Sequence, residues 1–340
     1  MKSIFFFISF FIVNSSIAQI SDFKDIDFNA ADNVAKLHSG ADLNNLPLLA
    51  HNLTIDLPSD VEKFRAIYTW VCNNIDGDPK QDNEVIEKRE EFKNDSVALL
   101  KWNNSFKKIA FNKLFKQKKT MCTGYAYLIK ELSFLADIEC EIVDGYGRTT
   151  STNADQLELT NHSWNAVKLN DKWYLADATW SSGYFDDYNV FINEYNDGYF
   201  LTDPILFSKS HYPIDPKWLL DASLENKPFV TSPMVYGETY KHKILPVSPS
   251  EMHLTSTRYA EIEFSFKPYK DIDINKVSMM QYKGVKEQPF KIYDLKNEDG
   301  LIKFKYKFKY KKLYDVHLKI EDDIVATYTV DVSDSREKTY

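Results

Sequence analysis

Apolar residues recur at steps of three and four through the first part of this chain and at steps of two later, so helices precede strands. Val61, Phe64, Ile67, Tyr68 and Val71 share one helical face, and Ser59 or Asp60 stands where a side-chain oxygen can cap the first turn. Residues 29–75 read as helical, with Pro47 and Pro58 as punctuation. Residues 76–94 are acidic and polar. A further helix then runs to about Lys119, with Trp102, Phe106, Ile109 and Leu114 as its apolar stripe. Another opens in T-M-C-T-G-Y-A-Y-L-I-K-E-L, Thr120 to Leu132. There Met121, Tyr125, Leu128, Leu132 and Leu135 fall on one face, with Thr120 as the expected N-cap.

Strand patterning follows. I-E-C-E-I-V reads as a strand that ends in a Gly-rich turn at Gly145 and Gly147. The polar loop 148–160 is either a cleft wall or a surface connection, and reads better as the latter. Two strands, Ser163–Leu169 and Lys172–Ala178, flank Asn170-Asp171, a pair suited to a two-residue hairpin turn. That register sets Trp164 opposite Asp177. His162 then shares a face with Asp177 as a diagonal neighbour, roughly 7–8 Å away at the backbone and within side-chain reach. Residues 183–197, rich in Tyr and Asp, read as a surface loop without calcium-ligand spacing.

From about Glu225 the chain reads as all-β. Y-A-E-I-E-F-S-F, D-V-H-L-K-I and A-T-Y-T-V-D-V alternate, and the run from Ile302 to Lys311 alternates apolar residues with Lys. Its lysines suit a sheet edge guarded against aggregation. The charge balance changes at the same place: residues 1–224 carry 22 basic and 32 acidic groups, residues 225–340 carry 20 and 18. The expected fold is therefore an α+β domain over 19–224 and an immunoglobulin-like β-sandwich over 225–340.

Candidate chemistry gathers on the middle of the chain. Cys122 falls in the first turn of its helix, where free N–H groups and the dipole favour a thiolate. Gly124 is expected to leave room above the sulfur for a substrate backbone. An imidazole beside a carboxylate supplies the base and its orienting acid, so Cys122, His162 and Asp177 together have the composition of a thiol triad. Each residue alone has a plainer reading: a buried cysteine, a core histidine, a turn-forming aspartate.

C-T-G-Y-A, N-H-S-W-N and D-A-T-W resemble the three motifs of the transglutaminase-like superfamily. The segment Tyr199 to Leu220, Y-F-L-T-D-P-I-L-F-S-K-S-H-Y-P-I-D-P-K-W-L-L, is similar to the segment after the core in the kyphoscoliosis-peptidase-like branch. K-F-R-A-I-Y-T-W-V-C-N-N-I (Lys63 to Ile75) extends the likeness, which covers roughly residues 29–222. The resemblance implies a papain-like core with Cys122 as nucleophile, His162 as base and Asp177 as orienting acid. Met121 departs from the small or β-branched residue usual there, which bears on packing beside the sulfur. The implied reaction is acyl transfer on peptide or carboxamide bonds, with water or an amine as acceptor. The alternative is a module that keeps this fold to bind protein.

Composition narrows the setting. Met1 to Ala18 has one early Lys, the apolar run I-F-F-F-I-S-F-F-I-V, and Ser16-Ile17-Ala18, the pattern of a cleaved secretory signal. The expectation is a secreted or periplasmic protein, with extracellular protein or cell-wall peptide as substrate and no stable membrane insertion. Three cysteines leave at least one thiol unpaired, assigned to Cys122; Cys72 and Cys140 read as two buried thiols in apolar runs rather than a disulfide. Lys101 to Lys119 holds seven Lys and no acid, a solvated helix face or a source of positive potential near Cys122. A formal net charge of −8 argues against nucleic acid as partner. There is no Gly-rich phosphate loop and no His/Cys cluster with zinc spacing, so no cofactor or metal is expected.

Overall fold

A computed structural model describes residues 20–225 and 227–334. The expected signal sequence, residues 1–18, lies outside the described residues. Three helices open the fold, Asn29–Leu37, Leu46–Thr54 and Asp60–Asn74. The third is capped by Ser59, whose hydroxyl accepts the Glu62 N–H. Residues 76–94, read as polar chain, contain the helix Pro79–Glu91, capped by Asp78 with Pro at its first turn. Its apolar pattern is sparse, with Val85 as the buried anchor, so periodicity gave little sign of it. The next helix, Ser96–Gln117, departs from its expected stripe: Phe106 and Leu114 are buried, but Ile109 is 62% exposed.

Helix Cys122–Leu135 packs across a four-stranded antiparallel sheet of order Lys172–Ala176, His162–Leu169, Cys140–Gly147, His211–Pro213. The expected hairpin register holds, with Asn165 opposite Ala176 and Leu169 opposite Lys172. Asn170 and Asp171 both take positive φ, the left-handed conformation that a tight two-residue turn demands and that short polar side chains tolerate. The second strand ends at Ala176, two residues early, because Asp177 turns out of the ladder to cap the helix Ala178–Ser182. Residues 183–197 contain a two-stranded ribbon, Gly183–Phe185 paired with Phe191–Asn193, where an unstructured surface loop was expected.

Nine further strands make two sheets packed face to face, an immunoglobulin-like β-sandwich. One sheet has five strands and the other four, over a core that includes Phe264, Phe304, Val316, Leu318 and Tyr328. The Lys-rich strand Leu301–Lys307 is not an edge: it lies between Tyr293–Glu298 and Glu261–Pro268. Ile302 and Phe304 face the core, while Lys305 meets Glu261 and Asp294 on the outer face.

The helical core is one apolar cluster around Phe64, Trp70, Leu128 and Leu132. A second joins both halves of the chain: Trp164, Tyr199, Leu206 and Phe207 pack with Val235, Tyr240 and Leu245 from beyond residue 225. Tyr240 is fully buried and stacks on Tyr199 at 4.2 Å. We expect Tyr240→Ala to lower stability by about 3 kcal/mol or more, as buried aromatic truncations do. Urea unfolding checks this, and a change below about 1 kcal/mol would mean that the seam contributes little.

Candidate active site

Cys122 is the first residue of its helix and is 7% exposed. Thr120 is not the cap. Met121 holds the cap position without a side-chain bond, and Thr120 belongs to a two-residue strand paired with Asp76–Gly77. The Thr120 side chain instead packs against Gly124, where an added Cβ would stand 1.9 Å from Oγ1. Gly124 thus makes room for Thr120, beneath the nucleophile turn, rather than for a substrate above the sulfur.

His162 opens its strand, held in place by its neighbour: Asn161 accepts from the Gly147 N–H at 2.6 Å and donates to the Gly147 carbonyl at 3.0 Å. The indole of Trp180 stacks on the imidazole with centroids 4.6 Å apart. His162 Nε2 lies 2.8 Å from Asp177 Oδ2, which leaves Nδ1 as the ring nitrogen to serve the Cys122 thiol, whose charge the imidazole influences most among its neighbours. The three residues singled out in the sequence are therefore brought together. Cys72 and Cys140 are free and buried, with no disulfide between them.

Asp177 is 0% exposed, and both its oxygens are committed. Oδ1 accepts the Thr179 and Trp180 N–H groups at 2.8 and 3.3 Å, the ordinary work of a helix cap. Oδ2 accepts from His162 and also from His211 Nε2, at 3.1 Å. Sequence reasoning passed over His211. It stands 34 residues beyond Asp177 on a separate strand, so hairpin register had no bearing on it, and its only sign was its place in the S-H-Y-P segment. Ligand atoms of His162, Asp177 and His211 lie within 4.8 Å of one another, a spacing that a metal could use. Two N–H donors on one carboxylate account for the group without an ion.

The charges sort by environment. Burial would raise the Asp177 carboxyl, but His162 and His211 overrule it and hold it well below the carboxylate range. Burial opposes a charge on His162, yet Asp177 and Cys122 push it up to about 10. Burial takes His211 down to about 4, so it stays neutral. Burial raises the Cys122 thiol as well, but His162 reverses the effect and leaves it below its ordinary value. Arg89 acts in the same direction and Asp82 against it; the lysines of residues 101–119 are not among the strongest influences. By contrast, burial pushes Cys140 up to about 12 and Cys72 well above the ordinary thiol range. The result is one activated thiol and two inert ones.

The sulfur and imidazole open on a cavity of about 1030 Å³. Helix Pro79–Glu91 lends Asp82, Val85 and Arg89 to its wall, and the ribbon lends Tyr184, Phe185 and Phe191. Thr149, Ser151 and Thr152 line it too, so the polar loop is a cleft wall and not the plain surface connection expected.

Residues 48–178 match the model of the transglutaminase-like superfamily. Kyphoscoliosis peptidase of Homo sapiens is 31% identical over 204 residues, 59% of this chain and 27% of that protein. Its Mus musculus counterpart is 30% identical over 231 residues, 67% of this chain and 31% of that one. The chain carries a transglutaminase-like superfamily domain. Within that superfamily, the match falls in the kyphoscoliosis-peptidase-like branch. Hillarin of Drosophila melanogaster is also similar, 23% identical over 233 residues, 61% of this chain and 25% of that protein. This transglutaminase-like chain spans less than a third of the length of these relatives.

The His162 environment carries a stability signature. Below the unfolded value of about 6.5 the imidazolium exists in both states, but only the folded chain bonds it to Asp177. That contribution is lost as pH rises through the folded value of about 10. The stability difference between wild type and His162→Ala should therefore shrink from pH 6.5 to pH 10. Urea midpoints across that range check it; a difference that grows with pH would contradict the charged His162–Asp177 pair.

Proposed function

We propose that this chain is an exported thiol enzyme that transfers acyl groups from peptide or carboxamide bonds of protein substrates, through Cys122, His162 and Asp177. The observation that carries this reading is the Cys122 thiol, lowered below its ordinary value, beside an imidazole bonded to a buried carboxylate at the wall of a large cleft. A binding module has no need of that combination.

In the proposed reaction the Cys122 thiolate attacks the carbonyl carbon, and the developing oxyanion meets the Cys122 backbone N–H. As the first residue of its helix, Cys122 has an N–H with no carbonyl partner inside that helix. The His162 imidazolium then gives its proton to the leaving amine, and a thioester remains on the sulfur. His162, now neutral, takes a proton from water or from an acceptor amine as it attacks the thioester, and the thiol is regenerated. Asp177 keeps the ring oriented throughout, with Nε2 on the carboxylate and Nδ1 toward sulfur. Export rests on the Met1 to Ala18 pattern, and an exported chain meets extracellular protein or cell-wall peptide.

Iodoacetamide labelling near pH 6 tests the nucleophile, because an ordinary thiol is almost wholly protonated there. Cys122 should label well ahead of glutathione in the folded protein, Cys72 and Cys140 should not label, and Cys122→Ala should abolish the signal. Labelling no faster than glutathione would favour the protein-binding module. Mass spectrometry of candidate protein substrates distinguishes the acceptors: new termini or deamidated side chains mark water, and cross-linked peptides mark an amine. The mature chain should begin at or near Gln19; an intact Met1 in secreted material would contradict export.

A further inference from the structure

We infer that His211 is a positioning residue for the triad: a neutral second histidine, locked in one tautomer, that holds the Asp177 carboxylate against His162. The inference rests on the proposed role of Cys122, His162 and Asp177 and adds a residue to it.

The tautomer follows from the partners. His211 Nε2 faces Asp177 Oδ2 at 3.1 Å, and an acceptor nitrogen there would set two lone pairs against each other, so Nε2 carries the proton. In neutral imidazole Nδ1 must then accept, and Ser210 Oγ stands 3.0 Å away to donate. Having spent its proton, Ser210 accepts from the hydroxyl of Tyr240, which also reaches the Leu206 and Phe207 carbonyls at 3.2 and 3.5 Å. Tyr240 sits on the helix Gly237–Lys241, which Thr239 fastens by donating to the Val325 carbonyl of the last sandwich strand. Beside it, Met234 and Thr327 exchange backbone hydrogen bonds at 3.2 and 2.9 Å. A row of donors thus leads from Tyr240 through Ser210 and His211 to the carboxylate of the triad, and it starts on a helix tied to the sandwich.

Neutrality follows from crowding. His211 is buried among Trp164, Trp180 and Phe207, with Phe207 stacked on it at 3.9 Å. The charged groups facing it are Asp177 and the His162 imidazolium, and one carboxylate cannot balance two buried imidazolium rings. With His162 holding the positive charge, His211 contributes direction alone. Its N–H occupies the remaining side of Oδ2, so the carboxylate cannot swing away when His162 loses its proton during turnover.

Two variants separate this role from packing. His211→Phe keeps an aromatic ring against Phe207 and removes the donor; His211→Gln keeps an N–H donor and removes the ring. If positioning matters, iodoacetamide labelling of Cys122 near pH 6 falls about tenfold or more in His211→Phe, the scale of one lost hydrogen bond to a charged group. His211→Gln recovers part of the rate even though it packs less well. Folding of each variant is checked by urea unfolding. A folded His211→Phe that labels at the wild-type rate, or a His211→Gln no faster than His211→Phe, overturns the proposal. Nitrogen-15 NMR of labelled histidines in the wild-type chain reads the tautomer directly: His211 as neutral Nε2–H at pH 6 supports it, and an imidazolium or Nδ1–H form overturns it. That reading does not depend on Cys122, so a sluggish thiol would count against the enzyme and not against the tautomer.

Discussion

A fully buried carboxylate is the constraint on which this molecule turns. Removing an ionised group from water costs several kcal/mol even after relaxation, and the cost is met only when hydrogen bonds replace the lost solvent. Asp177 receives four such donors: two backbone N–H groups of the helix it caps, His162 from the neighbouring strand, and His211 from the strand three places across the sheet. These donors come from three differently placed pieces of chain. Satisfying one side chain therefore ties the hairpin, the short helix and the His211 strand to a common point. The same satisfaction makes the imidazolium of His162 stable in an interior that would otherwise expel it.

The two halves of the chain meet around that point. Trp164 and Phe207 stand between the triad and the seam, and Tyr240 and Leu245 close it from the sandwich side. Arg148, next to the Gly147 clamped by Asn161, is buried and has no carboxylate partner among the described residues. Its guanidinium donates to the carbonyls of Val230, Pro233 and Ala154 and to the Ser232 hydroxyl, and burial pushes it down to about 10. Through its two terminal nitrogens, this cation fixes the connecting segment 230–233 to the end of a core strand. On the far side, Arg65 bonds Asp32 and Asp197, joining the first helix to the turn that precedes Tyr199 and Phe200. Polar anchors thus flank an apolar seam, and the cleft lies between them.

Periodicity and turn chemistry made much of this legible. The Asn170-Asp171 turn set the hairpin register, and period-two alternation then placed His162 and Asp177 on one face. The spacing of Tyr125, Leu128 and Leu132 placed Cys122 in a first helical turn. These are local facts, decided by backbone conformation over a few residues, so the sequence by itself determined them. It also determined the α+β core and the alternating strands of the sandwich.

Only the tertiary structure decided what lies far apart in the chain. That Gly124 accommodates Thr120, that residues 149–152 and the ribbon wall the cleft, and that Leu301–Lys307 is an inner strand all depend on partners supplied by other segments. His211 is the clearest case. In sequence it is one histidine between a serine and a tyrosine, in a segment that carries the family likeness but gives the residue no role. Its meaning arises because a short strand pairs with Cys140–Gly147 and carries the imidazole to the open side of the Asp177 carboxylate. Local pattern selects the elements; the need to satisfy one buried charge selects which of them must meet.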